Sequence, residues 1–260
     1  MSYQTLIVTR DKGIGVIQLN RPDKRNSITF QMMDELEAAL DDLSEGNDTR
    51  VVIITGDERA FSSGMDLNGM EDIGSPREFT AYMTRWRVLN KAIEMCTRPV
   101  IAAIEGFCYT GGFELALACD VRVGAEGSSY AITSSKIGTV PGAGGTQRLP
   151  RIVGTANALD ILLSGNPIDD QHALRIGLLS RLVEKGQALA EAKAMVKVYE
   201  KRAPLSLKLL KRAVYGGMQM DLASAIEYES FIVTTIYQTK DRLEGINAFL
   251  EKREAKFQGN

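Results

Sequence analysis

A single histidine, His172, occurs in this chain of 260 residues, and that scarcity removes whole reaction classes. A serine or cysteine triad needs an imidazole beside its nucleophile, and catalytic zinc sites usually draw on several His, Cys or carboxylate ligands together. His172 sits in Asp169-Asp170-Gln171-His172-Ala173-Leu174, which reads as the exposed start of a short helix. A surface role is expected for it, and no metal site.

Cysteine is sparse and odd in number. Cys96, Cys108 and Cys119 show no paired short spacing of the kind that marks a disulfide framework or a zinc site. A reducing, cytoplasmic compartment fits that usage. No apolar run approaches the roughly 20 residues that cross a bilayer, so no membrane role is expected. The amino-terminal stretch has neither an apolar signal core nor an arginine-rich leader and reads as a strand, and Phe257-Gln258-Gly259-Asn260 is not a peroxisomal address. Charge of one sign is lacking too: 31 Lys and Arg stand against 33 Asp and Glu, a formal net charge of -2. That balance argues against a duplex-wide basic face and a nucleic-acid partner, while leaving room for a local cluster on one phosphorylated ligand.

What the chain does hold is apolar material, 44% of its residues, enough for one large core with a small helical appendage. Strand-like and helix-like stretches alternate through the first two thirds, the pattern of an α/β protein. Tyr3 to Arg10 and Ile14 to Leu19 read as paired strands. From Thr29 onward Phe30, Met33, Leu36, Leu40 and Leu43 recur at helical spacing. Val51 to Thr55 is apolar on both faces, as in a strand covered on both sides. Ser75-Pro76-Arg77-Glu78 combines an N-cap serine, a proline at the first helical position and a glutamate at the third, which predicts a helix start. Beyond residue 187 strand signals vanish. Three helical patterns follow, Gln187 to Lys201, Pro204 to Tyr215 and Leu222 to Lys252 with a break near Thr239, and they are expected to pack on the core or on another subunit.

Two glycine turns carry the chemistry. Phe61-Ser62-Ser63-Gly64-Met65-Asp66-Leu67 and Tyr109-Thr110-Gly111-Gly112-Phe113-Glu114-Leu115 each follow an apolar run and open toward a predicted helix. Each leaves backbone N–H groups without intrahelical partners at a positive helix start, so the pair can hold one oxyanion. Such donors stabilise a developing thioester enolate, and losing one typically costs about 3 kcal/mol of barrier. Gly111 and Glu114 are three residues apart and share a helix face, with Phe113, Leu115 and Ala116 placing the carboxyl in apolar surroundings that favour its neutral form. The alternative is a first-turn glutamate that merely complements the helix dipole. Asp66 is expected to cap its helix, leaving the Met65 N–H as the functional group of its turn.

Other candidates are weaker. Pro141-Gly142-Ala143-Gly144-Gly145-Thr146-Gln147-Arg148 lacks the third glycine of the dinucleotide fingerprint and the Gly-Lys-Ser/Thr ending of a phosphate loop, so it reads as a tight connection into a helix. Lys24, Arg25, Lys252 and Arg253 are ordinary solvated charges unless the ligand carries phosphates. Phe249, three positions before Lys252, can then offer a ring beside an ammonium.

Taken in order, these stretches resemble the crotonase superfamily of enoyl-CoA hydratases and isomerases. The likeness runs from Leu6 to Gly259 and is carried by Arg21-Pro22 to Asn26, Ala60 to Leu67, Gly106 to Asp120, Ile137 to Arg148, and Thr239-Lys240-Asp241 with Glu244-Gly245 to Arg253. The resemblance implies a crotonase-like spiral of ββα turns over residues 1–186 and a helical oligomerisation region over 187–260, assembled as a homotrimer or a dimer of trimers. It implies an acyl-CoA substrate, with no cofactor beyond the coenzyme A that the substrate carries. The N–H groups of Met65 and Gly111 would hold the thioester oxygen, and Glu114 would be one of the two acid/base glutamates of the hydratases. Lys24 and Arg25 would meet the CoA adenosine and phosphates, as would Phe249 and Lys252 from a neighbouring subunit. Met65, Met70, Trp86, Tyr109 and Ile132 are expected in the acyl walls.

Departures from the pattern bear on the reaction. Where the hydratases carry a second glutamate this chain has Ser134, a hydroxyl that can hold a water but is a poor acid or base at neutral pH. Asn68 replaces a lysine, and Thr110 stands where glycine is common. Three readings follow: a hydratase of 2-enoyl-CoA working with Glu114, aided by Ser134; a one-base isomerase, decarboxylase or thioester hydrolase; or a non-catalytic acyl-CoA-binding paralogue.

Overall fold

Strand residues 51–55 are apolar on both sides because both sides are covered. In the computed structural model, which describes residues 3–45, 48–68 and 74–260, every residue from Val51 to Thr55 is buried. Val52 and Ile54 face one apolar cluster, and Val51 and Ile53 face another.

The chain opens with an antiparallel hairpin, β1 (Leu6–Asp11) and β2 (Ile14–Leu19), followed by α1 (Phe30–Glu45). Three turns of a spiral come next. Each places one strand in a large sheet, one in a small sheet, and then a helix: β3 (Val51–Thr55), β4 (Ala60–Ser62) and α2 (Pro76–Met95); β5 (Val100–Ile104), β6 (Phe107–Tyr109) and α3 (Gly111–Ala118); β7 (Val121–Ala125), β8 (Ser129–Ala131) and the pair α4 (Gly145–Val153) and α5 (Thr155–Ser164). A last partial turn adds β9 (Ile168–Asp169), α6 (Asp170–Arg175) and β10 (Arg181–Val183). The large sheet runs β1-β2-β3-β5-β7-β10 and the small one β4-β6-β8-β9. Apart from β1 and β9, neighbouring strands are parallel.

Four helices complete the chain: α7 (Ala188–Tyr199), α8 (Pro204–Gly217), α9 (Leu222–Tyr237) and α10 (Lys240–Leu250). The predicted break near Thr239 is the N-cap of α10, whose hydroxyl accepts from the Arg242 N–H at 3.2 Å. Ser75 caps α2 in the same way, accepting from the Glu78 N–H. Helices α1, α2 and α3 seal one face of the large sheet. Helix α7 seals the other, with Ala188, Ala192, Met195 and Val196 against Ile53, Ile101 and Val123. Hydrophobic side chains on α8, α9 and α10 point outward instead, among them Leu222, Phe231 and Leu250. No helix among the described residues is long and apolar enough to cross a membrane.

The small sheet was not foreseen. Strands β4, β6 and β8 have three residues each, too few for a periodic pattern to register.

Candidate active site

The small sheet explains why distant stretches of sequence meet. Because β4, β6 and β8 are parallel neighbours, their carboxyl ends lie side by side, and Met65, Gly111 and Ser134 each follow one of those ends. Ligands of open parallel sheets bind at such ends.

The first two turns touch. Gly64 adopts φ +96°, and a Cβ placed on it would lie 2.9 Å from the Gly111 nitrogen. A Cβ on Gly111 would lie 3.3 Å from the Met65 nitrogen and 2.8 Å from the Trp86 ring. Only glycine permits that approach. On either side of Met65 the chain is bonded to Ile28, whose N–H donates to the Gly64 carbonyl at 2.7 Å and whose carbonyl accepts from the Asp66 N–H at 3.0 Å. The Met65 N–H itself and the Gly111 N–H, first in its helix, donate to no acceptor among the described residues. Two unspent donors from separate loops thus stand together. Thr110, between β6 and α3, is held at φ +46°, a region that costs a β-branched residue about 1 to 3 kcal/mol. That backbone demand accounts for glycine being common there.

Glu114 lies in the first turn of α3, only 4% exposed. Its Oε1 accepts two backbone N–H groups, from Ala143 at 2.9 Å and Gly145 at 2.7 Å. Oε2 has no hydrogen-bond partner among the described residues. The connection from Pro141 to Arg148 therefore does more than enter a helix: it grips the carboxyl. Asn90 and Arg148 brace that grip, each donating to the Ala143 carbonyl, at 2.7 and 3.0 Å, while Arg148 also pairs with Glu94 at 2.7 Å. Burial pushes the Glu114 pKa up to about 7, against the opposing pull of the Gly145 and Ala143 N–H groups and of Arg148. A glutamate that merely complemented a helix dipole would sit in solvent. This one is sequestered and poised near neutrality.

Ser134 opens the short helical turn Ser134–Ile137 beyond β8, is 5% exposed, and has a hydroxyl with no hydrogen-bond partner among the described residues. Ile132, just before it, packs at Gly145 beside Glu114. Lys24 and Arg25 are exposed, in a tight turn that is tied to the Gly64 loop. The Ser63 N–H donates to the Arg25 carbonyl at 2.9 Å, and the Ser62 hydroxyl to the Asn26 carbonyl at 2.7 Å. The helix that Asp66 is expected to cap runs into residues 69–73, which lie outside the described residues. Asp66 accepts from Arg21 at 2.7 Å and from Ser27 at 3.1 Å, locking the two turns together, and also from the Asn68 N–H at 3.1 Å. Arg21 is 45 positions from Asp66, so their pairing leaves no local signal.

Phe249, 84% exposed, and Lys252 stand on and just past α10, joined to none of the site residues by a hydrogen bond, ion pair or ring contact among the described residues. Tyr109 pairs its hydroxyl with Ser129 at 3.0 Å. Met70 lies outside the described residues. Cys96, Cys108 and Cys119 are free and buried.

Residues 9–260 match the family model described as enoyl-CoA hydratase/isomerase. The crotonyl-CoA hydratase of Syntrophomonas wolfei is 34% identical over 260 residues, 99% of each chain, and the short-chain-enoyl-CoA hydratase of Clostridium acetobutylicum is 30% identical over 98% of this chain and 97% of its own. The crystal structure of an enoyl-CoA hydratase from Bacillus anthracis superposes with a TM-score of 0.94 at 35% identity, covering 99% of this chain and 100% of the other.

Proposed function

Since the chain belongs to the enoyl-CoA hydratase/isomerase family of the crotonase superfamily, we propose that it adds water across the double bond of a 2-enoyl-CoA to give the 3-hydroxyacyl-CoA, with Glu114 as the acid/base group. The observation that carries this reading is one arrangement. The N–H groups of Met65 and Gly111, without an acceptor among the described residues, stand together at the start of the helix whose first turn carries a buried carboxyl with a pKa of about 7.

In this reading the thioester oxygen accepts from Met65 and Gly111, so negative charge that develops there is met by donors already in place. Ionised Glu114 takes a proton from water through Oε2, the oxygen left free by the grip on Oε1. The water oxygen bonds to the β-carbon, the π electrons move onto the thioester as an enolate, and the proton held by Glu114 passes to the α-carbon. One carboxyl therefore serves as base and then as acid, which a pKa near the working pH suits. Ser134, buried and with a hydroxyl unbonded among the described residues, holds the water. Lys24 and Arg25 bind the CoA adenosine and phosphates, joined by Phe249 and Lys252 of a neighbouring subunit in a homotrimer or dimer of trimers. The outward apolar residues of α8 to α10 favour such an assembly, with residues 187–260 as its oligomerisation region. The reading calls for no cofactor besides the CoA of the substrate, and three free cysteines fit a reducing, cytoplasmic compartment.

The test is hydration of crotonyl-CoA, followed by loss of the enoyl-thioester absorbance, in the protein and in Glu114→Gln. Turnover that falls about 100-fold or more in the variant is expected for loss of a general acid/base. Equal turnover by both proteins removes Glu114 from the chemistry. Binding of enoyl, malonyl and saturated thioesters without turnover leaves the non-catalytic reading instead.

A further inference from the structure

Arg148, in α4, reaches back over the turn from which its own helix starts. Its Nη1 donates to the Ala143 carbonyl at 3.0 Å and its Nε to Glu94 of α2 at 2.7 Å. Between those two bonds the guanidinium lies across Gly144, where an added Cβ would collide with Nη1 and where φ is +105°. Glycine at 144 is what lets an arginine four positions on close over its own turn.

The peptide groups under that guanidinium are the ones that hold Glu114. Ala143 gives its carbonyl to Arg148 and Asn90, while its N–H and that of Gly145 donate to Glu114 Oε1. A loop bonded on both sides in this way cannot swing from the carboxyl without breaking one side. The Arg148 and Glu94 side chains are 21% and 15% exposed, so water competes little for their pairing. The planar fork of a guanidinium serves two acceptors at a fixed angle, which a single ammonium does not.

Charge acts together with aim. Helices α2 and α4 and strands β4 and β6 pack against α3. Burial raises the Glu114 pKa, and Arg148 is the charged side chain that draws it down. Tyr82 of α2 and Cys108 of β6 are neutral, the pKa of each raised first of all by burial. Tyr109 of β6 is bonded to Ser129, Arg151 of α4 is exposed on the Gln147 carbonyl, and β4 carries no titratable side chain.

We propose that Arg148 is a positioning residue for the acid/base step: aimed by Glu94, it holds the loop from Ala143 to Gly145 so that both N–H groups close on Oε1 and Oε2 is left to face the water. The inference rests on the hydratase reading of Glu114 and gives Arg148 no contact with substrate.

The test compares Arg148→Lys, Arg148→Met and Glu94→Gln with the unmodified protein in crotonyl-CoA hydration across pH. An infrared titration runs alongside it and follows the Glu114 carboxyl, identified by its loss in Glu114→Gln. Arg148→Met is expected to lower kcat about tenfold or more and to change KM less than about threefold, since misplacing a reacting group costs rate while the contacts that bind substrate lie elsewhere. Its midpoint moves up in both titrations, because the cation that favours ionised Glu114 is gone. Arg148→Lys brings the midpoint back and leaves kcat low, restoring the charge but not the fork. Glu94→Gln lowers kcat by itself and adds nothing to Arg148→Met, as a residue acting through another must.

Unchanged kcat in both Arg148 variants overturns the inference. So does a fall in kcat with the midpoint of Arg148→Met unmoved, which is what loosening of the fold alone would give. Should Arg148→Met not fold, Arg148→Lys decides: a kcat equal to that of the unmodified protein overturns the inference. The infrared titration needs no turnover. A midpoint that rises in Arg148→Met and returns in Arg148→Lys, in a protein that hydrates nothing, keeps the hold of Arg148 on Glu114 and sinks the hydratase reading; hydration that both Arg148 variants leave intact does the reverse.

Discussion

Glu114 should cost the fold stability that its chemistry requires. Buried at 4% exposure, its carboxyl has a pKa near 7 in the folded protein against 4.5 as the ordinary value. A group whose pKa is raised on folding binds protons more tightly in the native state, so stability falls as pH rises between the two values. At about 1.4 kcal/mol per unit the full penalty is about 3 kcal/mol, of which roughly 2 to 3 kcal/mol develops between pH 5 and pH 8. Glu114→Gln removes the titration while its amide oxygen can still accept from Ala143 and Gly145. The variant is therefore expected to gain on the native protein by that amount as pH goes from 5 to 8, while losing hydration. Trp86 is the sole tryptophan and is fully buried, so its fluorescence reports unfolding in urea at each pH. Protein concentration must be held fixed, because any assembly adds to apparent stability. A stability difference between the two proteins that stays constant from pH 5 to pH 8 would show that Glu114 does not titrate in that interval, and the single-carboxyl mechanism would lose its basis.

The same ionisation should appear in kinetics. kcat/KM for crotonyl-CoA is expected to rise with pH through about 7, as the base form of Glu114 fills, and a rate flat from pH 5.5 to 8.5 contradicts it. Thr110→Gly is expected to stabilise the protein by about 1 kcal/mol, since the strain at φ +46° exceeds the added freedom of the unfolded chain; an unchanged urea midpoint argues against that strain. Asp120 accepts the Val100 N–H at 2.6 Å and the Tyr215 hydroxyl at 2.8 Å, and pairs with Lys211 at 2.7 Å, tying α8 to the core. Asp120→Ala leaves Lys211 without its counter-ion and is expected to destabilise by about 3 kcal/mol, whereas a loss below about 1 kcal/mol by urea unfolding would place α8's anchorage elsewhere. Light scattering should give the mass of a trimer or hexamer, and a monomer at micromolar concentration contradicts the assembly proposed for α8 to α10.

Much of this protein was legible in one dimension because the relevant forces act over a few residues. A serine, a proline and a glutamate at positions 75, 76 and 78 start α2 through bonds made within one turn, and Thr239 starts α10 likewise. The run from Val51 to Thr55 announces a strand covered on both faces because burial on either side demands apolar side chains on both. The two glycine turns and Glu114 were visible for a similar local reason, the need for backbone freedom and a carboxyl one helical turn away. Ser134 was visible as a position where a carboxylate was missing.

Folding alone decided how those pieces meet. The N–H groups that grip Glu114 belong to Ala143 and Gly145, about thirty positions on, and backbone donors leave no mark on residue type. Strands of three residues carry too little pattern to be read, yet their side-by-side ends bring Met65, Gly111 and Ser134 to one edge. Asp66 pairs with Arg21, 45 positions away, because that contact depends on what lies across the fold. Local sequence therefore set which turns and helices form. The pKa of Glu114 and the company of the two N–H groups came from burial and long-range contact, which exist only once the chain has closed on itself.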